Sequence, residues 1–224
     1  MPRKGQQLEI VFDTDRPTTR QNFSICHEVC HTLFPDGYEM VRHRCEWQDR
    51  FDPDREVEQL CDMGAAEILL PKEDFLTDLA QFGLGLAAVA SLRERYQASR
   101  EAVIRRMIQL DAGRSAAVFL EYRLKPSEQA AACQLPLLGP VRQPCPKLRI
   151  GYAVASDSFG VFLPRHKSIH ETSCVYRAAL NDKVTVGIES WDIPGLPLCR
   201  VEAMAMPPSE EADATPRVVA LLRL

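Results

Sequence analysis

The chain has 224 residues, a formal net charge of -4, 46% hydrophobic and 26% charged residues, 8 cysteines, 5 histidines and 16 prolines. That length allows one large domain or two small ones with real cores, and the composition excludes disordered, collagen-like and coiled-coil classes. The slight acidity argues against a protein built mainly to coat nucleic acid, no apolar run approaches the ~18–20 residues of a membrane span, and the first residues lack a secretory apolar core.

In chain order, residues 8–13 alternate in polarity and predict a short strand. Thr18 or Thr19 is a candidate cap for a helix through Phe23, His27, His31 and Phe34 that Pro35 stops. A charged, turn-rich loop over 36–53 follows. Over 54–70, Val57, Leu60, Cys61, Ala65, Ile68 and Leu69 recur at helical spacing, and Pro71 opens another short helix through Phe75 and Leu79. Helices over 86–96 and, after the cap-like Ser99, over 100–110 complete a helical first half.

Five prolines between Pro126 and Pro146 predict a linker. Around it, segments 116–124, 149–155, 161–163, 173–179, 183–190, 199–206 and 217–222 predict strands. The expected class is α+β: a helical core over 1–82, a helix-turn-helix-like segment over 83–112, and a mainly antiparallel β domain over 113–224 with the linker at 126–146. Eight cysteines without a CxxC pair and without export signals point to reduced thiols in a cytoplasmic protein.

Chemistry concentrates in His27-Glu28-Val29-Cys30-His31, an HExxH sequence. On a helix, positions i and i+4 share a face, so His27 and His31 can aim two imidazoles at one tetrahedral metal, one catalytic zinc ion by ligand type. Glu28, one step round the helix, is placed to act on a water as general base. In the next helix Glu58 and Asp62 are also four apart, beside the small residues Gly64, Ala65 and Ala66 that let two helices approach closely. Glu58 would complete a two-histidine, one-carboxylate site, and Asp62 would accept the distal N–H of a ligand histidine and fix its tautomer. The competing reading is satisfied core histidines and a solvated acid.

The runs FSICHEVCHTLFPD and, over 58–71, a Glu-led stretch ending GAAEILLP resemble the ImmA/IrrE family of bacterial metallopeptidases. That resemblance implies a zincin-like core, zinc on His27, His31 and Glu58, Glu28 as the catalytic base, and cleavage of a helix-turn-helix transcriptional repressor controlling a stress response or mobile element. It extends loosely to the β half, where relatives carry a GAF-like sensor domain.

Weaker signals surround this site. Arg93, Arg95, Arg100, Arg105 and Arg106 make the helix-turn-helix-like segment locally basic, so direct DNA binding is a less favoured alternative to packing or docking of a repressor. Cys26, Cys30 and Cys61 fit small-residue packing behind the ligands. His166 and His170 are also four apart, but Pro164 and the strand-like context predict a surface loop. Tyr38, His43 and the arginines of the 36–53 loop are candidates for stabilising a transition state by nearness to His31 alone. The alternatives to a peptidase are a metal-containing, non-proteolytic regulator that binds the repressor or DNA, and a hydrolase of a non-peptide bond. No membrane partner is expected, and the oligomeric state has no signature in the sequence.

Overall fold

In a computed structural model, residues 9–34, 53–132, 144–181, 183–207 and 216–224 are described. The chain divides into two compact units, 1–83 with 88–106, and 84–87 with 107–224.

The first unit is helical. Helix α1, Thr18–His31, begins after Pro17, so Thr18 lies inside its first turn rather than capping it. It ends at His31, short of Phe34, because Thr32 closes the turn: its hydroxyl donates to the Val29 carbonyl at 2.7 Å, and Leu33 N–H donates to Cys30 at 3.0 Å. Helix α2, Pro53–Leu69, packs against α1. Helix α3, Lys72–Phe82, has Pro71 as its N-cap, and a single 3-10 turn at Leu86–Ala88 leads into α4, Val89–Tyr96. Gln97, in the left-handed region at φ 49°, turns the chain into α5, Arg100–Leu110, where Ser99 Oγ accepts the Ala102 N–H at 3.1 Å as an N-cap should. Phe75, Val89, Leu92, Val103 and Ile104 are buried. Two ion pairs tie these helices together. Buried Asp78 takes Arg95 and the Tyr96 hydroxyl, each at 2.6 Å, and Arg106 bonds Glu67 while donating to the Leu70 carbonyl at 3.0 Å. Two of the five arginines that made this segment basic are therefore engaged in packing.

The second unit is an antiparallel sheet in the order β2-β1-β5-β4-β3, built from β1 Ser115–Arg123, β2 Lys147–Ala155, β3 Thr185–Glu189, β4 Cys199–Met206 and β5 Arg217–Arg223. Alternate residues of the four longer strands, among them Val118, Leu120, Ile150, Val201, Ala203, Val218 and Ala220, form the core with Phe159, Trp191 and Ile193. The observed class is α+β.

Four expectations change. Residues 9–13 carry no strand; an isolated alternating segment has nothing to pair with among the described residues. Residues 161–163 also join no ladder, because residues 166–169 take the edge of β2 instead, with Ile150 N–H donating to Lys167 and Ile169 N–H to Leu148. Two further helices appear where a linker and a strand were expected. Helix α6, Pro126–Ala132, opens on its proline, and Glu128 accepts the Lys125 N–H at 2.7 Å and, through both carboxylate oxygens, Nη2 of the buried Arg149 at 2.9 Å. The rest of the expected linker up to residue 143 lies outside the described residues. Helix α7, Cys174–Leu180, replaces the strand at 173–179: Ser173 caps Val175 N–H at 3.1 Å, and Cys174, Val175 and Ala178 bury one helical face against β4, β3 and β5.

Candidate metal centre

On α1 the helical repeat puts His27 and His31 one turn apart, their ring centroids separated by 4.8 Å and their planes at 71°. Both side chains are mostly buried, at 17% and 12% exposure. On α2 the same repeat aligns Glu58 with Asp62, and the two helices bring all four together. His27 Nε2 lies 3.1 Å from His31 Nε2 and 3.1 Å from Glu58 Oε2, while His31 Nε2 lies 3.5 Å from Glu58 Oε1. The ligand atoms of His27, His31 and Glu58 all lie within 4.8 Å of one another, the one such group of three among the described residues.

The close approach of the helices has a specific cause. A Cβ added at Gly64 would sit 2.6 Å from Cys30 Sγ, so the glycine leaves room for the thiol of α1 against the backbone of α2. Cys30 and Cys61 are both buried in this seam. Burial raises the Cys26 and Cys30 thiols above their ordinary range. Cys61 is pushed up to about 11, first by burial, then by Cys30, Glu58, Asp62 and Glu28 in turn. These thiols stay protonated and act as small apolar filler. The charge of Glu28 is felt at Cys61, which places this exposed carboxylate within electrostatic reach of the α2 side of the site.

Asp62 settles what the site asks for. Its Oδ1 lies 2.9 Å from His27 Nδ1. A carboxylate only accepts, so Nδ1 donates, and Nε2 is the ring nitrogen left facing the Glu58 carboxylate and the His31 nitrogen. Electron pairs converging at this distance require a cation between them, a proton or a metal ion. Two imidazole nitrogens and a carboxylate, with an oriented second hydrogen bond on one ring, are a donor set that suits a divalent metal, and these residues fit one.

The other sites expected from the sequence take different forms. His166 lies in a turn, half-buried, and His170 in the irregular, exposed chain beyond it, and they form no ligand pair: His170 Nδ1 is 2.8 Å from Thr172 Oγ1, and burial together with Arg123, Arg165 and Arg149 holds His166 below the usual histidine range. Tyr38, His43 and the arginines of their loop lie outside the described residues. One neighbour went unread: Phe23, a turn before His27, sets its ring 6.3 Å from the imidazole, and the i, i+4 spacing is the signal that would have found it. The six described cysteines are free thiols. Among the described residues no single helix is long and apolar enough to cross a membrane.

Comparison with known proteins falls on the same stretch. Residues 4–107 match the peptidase family described as the IrrE N-terminal-like domain. The radiation response metalloprotease IrrE of Deinococcus deserti is 31% identical over 87 residues, covering 36% of this chain and 30% of that protein, so the chain spans under a third of this relative. A solved structure, a Mycobacterium tuberculosis transcriptional regulator, is similar with a TM-score of 0.52 at 12% identity over 92% of this chain and 56% of that one, a likeness of fold alone. The stretch at residues 4–107, which carries the histidine pair and its acidic partners, is thus similar to the IrrE N-terminal-like family of peptidases.

Proposed function

We propose that the chain is a cytoplasmic, zinc-dependent endopeptidase with a zincin-like core, which cuts a helix-turn-helix transcriptional repressor and so relieves repression of a stress response or mobile element. The observation that carries this reading is the convergence of His27, His31 and Glu58 with Asp62 on the far nitrogen of His27.

His27, His31 and Glu58 would hold the zinc, and Asp62 keeps His27 in the tautomer that presents Nε2 to it. Zinc bound there supplies Lewis acidity, lowering the pKa of water from 15.7 towards ~7 and polarising a peptide carbonyl. Glu28, exposed beside His27, takes the proton of the attacking water and delivers it to the nitrogen of the departing amine, so the base of the first step is the acid of the second. The partly exposed Glu58 and the exposed Glu28 put the reacting side of the cluster where an extended peptide can reach it.

The fold of the β unit supports a GAF-like sensing role only as an analogy of architecture. In the helix-turn-helix-like segment, the ion pairs of Arg95 and Arg106 favour packing or repressor docking over direct DNA binding.

The test is incubation of the zinc-loaded protein with the helix-turn-helix repressor encoded beside it, with Glu28→Gln as control and new peptides followed by mass spectrometry. Cleavage at one site that disappears in the variant is expected. Cleavage that persists in Glu28→Gln sinks the mechanism, and stoichiometric derepression without any new peptide replaces it with a non-proteolytic, metal-containing regulator.

A further inference from the structure

The two edges of the five-stranded sheet are unlike. The edge of β2 is covered by the chain itself, through Ile150 N–H to Lys167 at 2.9 Å, His166 N–H to Ile150 at 2.8 Å and Ile169 N–H to Leu148 at 3.1 Å. Strand β3 pairs with β4 alone, and among the described residues no backbone hydrogen bond reaches its other side. Thr185–Glu189 carries no proline, no lysine and no bulge.

Its two faces differ as well. On one, Thr185 donates to the Cys174 carbonyl at 2.8 Å, and Glu189 accepts the Ser173 hydroxyl and the Cys174 N–H, each at 2.6 Å. These bonds hold the strand against α7. On the other face Val186 and Ile188 are 49% and 74% exposed. Beside them on β4, Arg200 pairs with Glu202 at 3.2 Å, and Glu202 also faces Arg223 at 3.9 Å.

We propose that β3 is the contact of a homodimer, pairing antiparallel with β3 of a second copy about a two-fold axis through Gly187. The occupant follows from the sequence Thr-Val-Gly-Ile-Glu, which is complementary to itself when reversed. About Gly187, Val186 falls opposite Ile188 of the second copy and Ile188 opposite its Val186, which covers the exposed apolar residues with one another. Glu189 falls opposite a threonine rather than its own copy, so like charges do not meet. A closed two-fold contact uses the same patch twice and leaves no edge to propagate. Five paired residues make a small interface, so exchange is expected at roughly micromolar concentration, as for transient complexes.

Sedimentation velocity of the full chain over a range of micromolar concentrations tests this, with Ile188→Lys as the variant. Ile188 is exposed, so the lysine leaves the fold intact, which circular dichroism checks. The parent should pass from monomer to dimer as concentration rises, and the variant should dimerise at least about tenfold more weakly, a cost of ~1.4 kcal/mol. Register is read separately by mixing Val186→Cys with Ile188→Cys chains under mild oxidation. Directly opposed Cβ atoms ~4.5–5.5 Å apart should give a 186-to-188 link by peptide mapping in excess of 186-to-186. A chain that stays monomeric throughout overturns the proposal and leaves the edge to a strand of another protein or another segment of this chain. A dimer that Ile188→Lys does not weaken overturns it too, since the contact then lies elsewhere.

Discussion

Gly64→Ala is the sharpest probe of how the metal centre is assembled, because two effects of known sign oppose each other at one carbon. Alanine in a helix interior is favoured over glycine by ~0.8–1.0 kcal/mol. Against that gain, the new Cβ would lie 2.6 Å from Cys30 Sγ, and forcing one carbon into a packed seam costs ~1–3 kcal/mol. The single variant should therefore lose about 1 kcal/mol. In a Cys30→Ala background the sulfur is gone, and the nearest remaining atom, the Cβ of residue 30, is 3.5 Å away, an ordinary contact. There the same substitution should raise stability by ~1 kcal/mol. The double-mutant cycle thus predicts a coupling of about 2 kcal/mol and a reversal of sign between backgrounds. Urea unfolding of the four metal-free proteins, followed by helical circular dichroism, measures both. Gly64 lies two residues from Asp62 on α2, so prying the helices apart also moves the ligands. Metal affinity should fall in Gly64→Ala and recover in the double variant. A coupling below about 0.5 kcal/mol would refute the reasoning, since additive values mean that sites do not share the contact. The thiol would then be swinging to another rotamer, and close approach would not be what requires the glycine.

Other predictions draw on different parts of the molecule. Asp62→Ala should weaken metal binding about 10–100-fold, measured by competition with a chromophoric chelator, and Asp62→Asn should lose less because its amide oxygen can still accept from His27 Nδ1. Arg149→Met should cost about 3 kcal/mol in denaturant unfolding, the low end for a broken buried ion pair, because Glu128 is 30% exposed and rehydrates while the Arg123 and His166 carbonyls lose their donor. For Glu189, burial raises the carboxyl, but hydrogen bonds from Cys174 N–H, Ser173 and Trp191 outweigh it and hold the group below its ordinary range. A lowered folded value means stability is full above the unfolded value of about 4.3 and is lost as pH falls through the folded one. Protection of the Cys174 amide against hydrogen exchange should fall over that acid window in the parent, and Glu189→Gln should abolish the dependence. Unchanged protection through the window would remove the carboxylate from the account.

The metal cluster was legible because each half of it is local. His27 with His31 and Glu58 with Asp62 are spaced by one helical turn, so the face they share follows from the backbone period alone, and few residue types can serve as ligands. The missed elements depend on distant partners. Residues 173–179 contain the β-favouring run Cys174, Val175 and Tyr176, yet fold as a helix because Glu189, fifteen residues beyond Cys174, receives the first amide. Pro126 looked like part of a linker, and became the first residue of a helix because Arg149, buried in the sheet, holds Glu128 from twenty-one residues away. The segment 161–163 has strand composition and no strand, since the edge it might have joined is filled by the residues just after it.

Pairing α1 with α2 is the one non-local feature of the site that left a local mark. A glycine inside a helix is a loss of ~1 kcal/mol that a free helix would avoid by using alanine, as this one does at the next two positions, Ala65 and Ala66. The exception at Gly64 therefore points to something pressing on the backbone there, and the structure identifies it as the sulfur of Cys30, adjacent to the candidate ligand His31. Because that contact fixes how near α1 comes to α2, it also fixes the 3.1 Å between His27 and Glu58. Substitutions in the seam should consequently act on metal affinity without touching a ligand, while changes of similar size on the exposed side of α2, such as at Met63, should leave affinity unchanged.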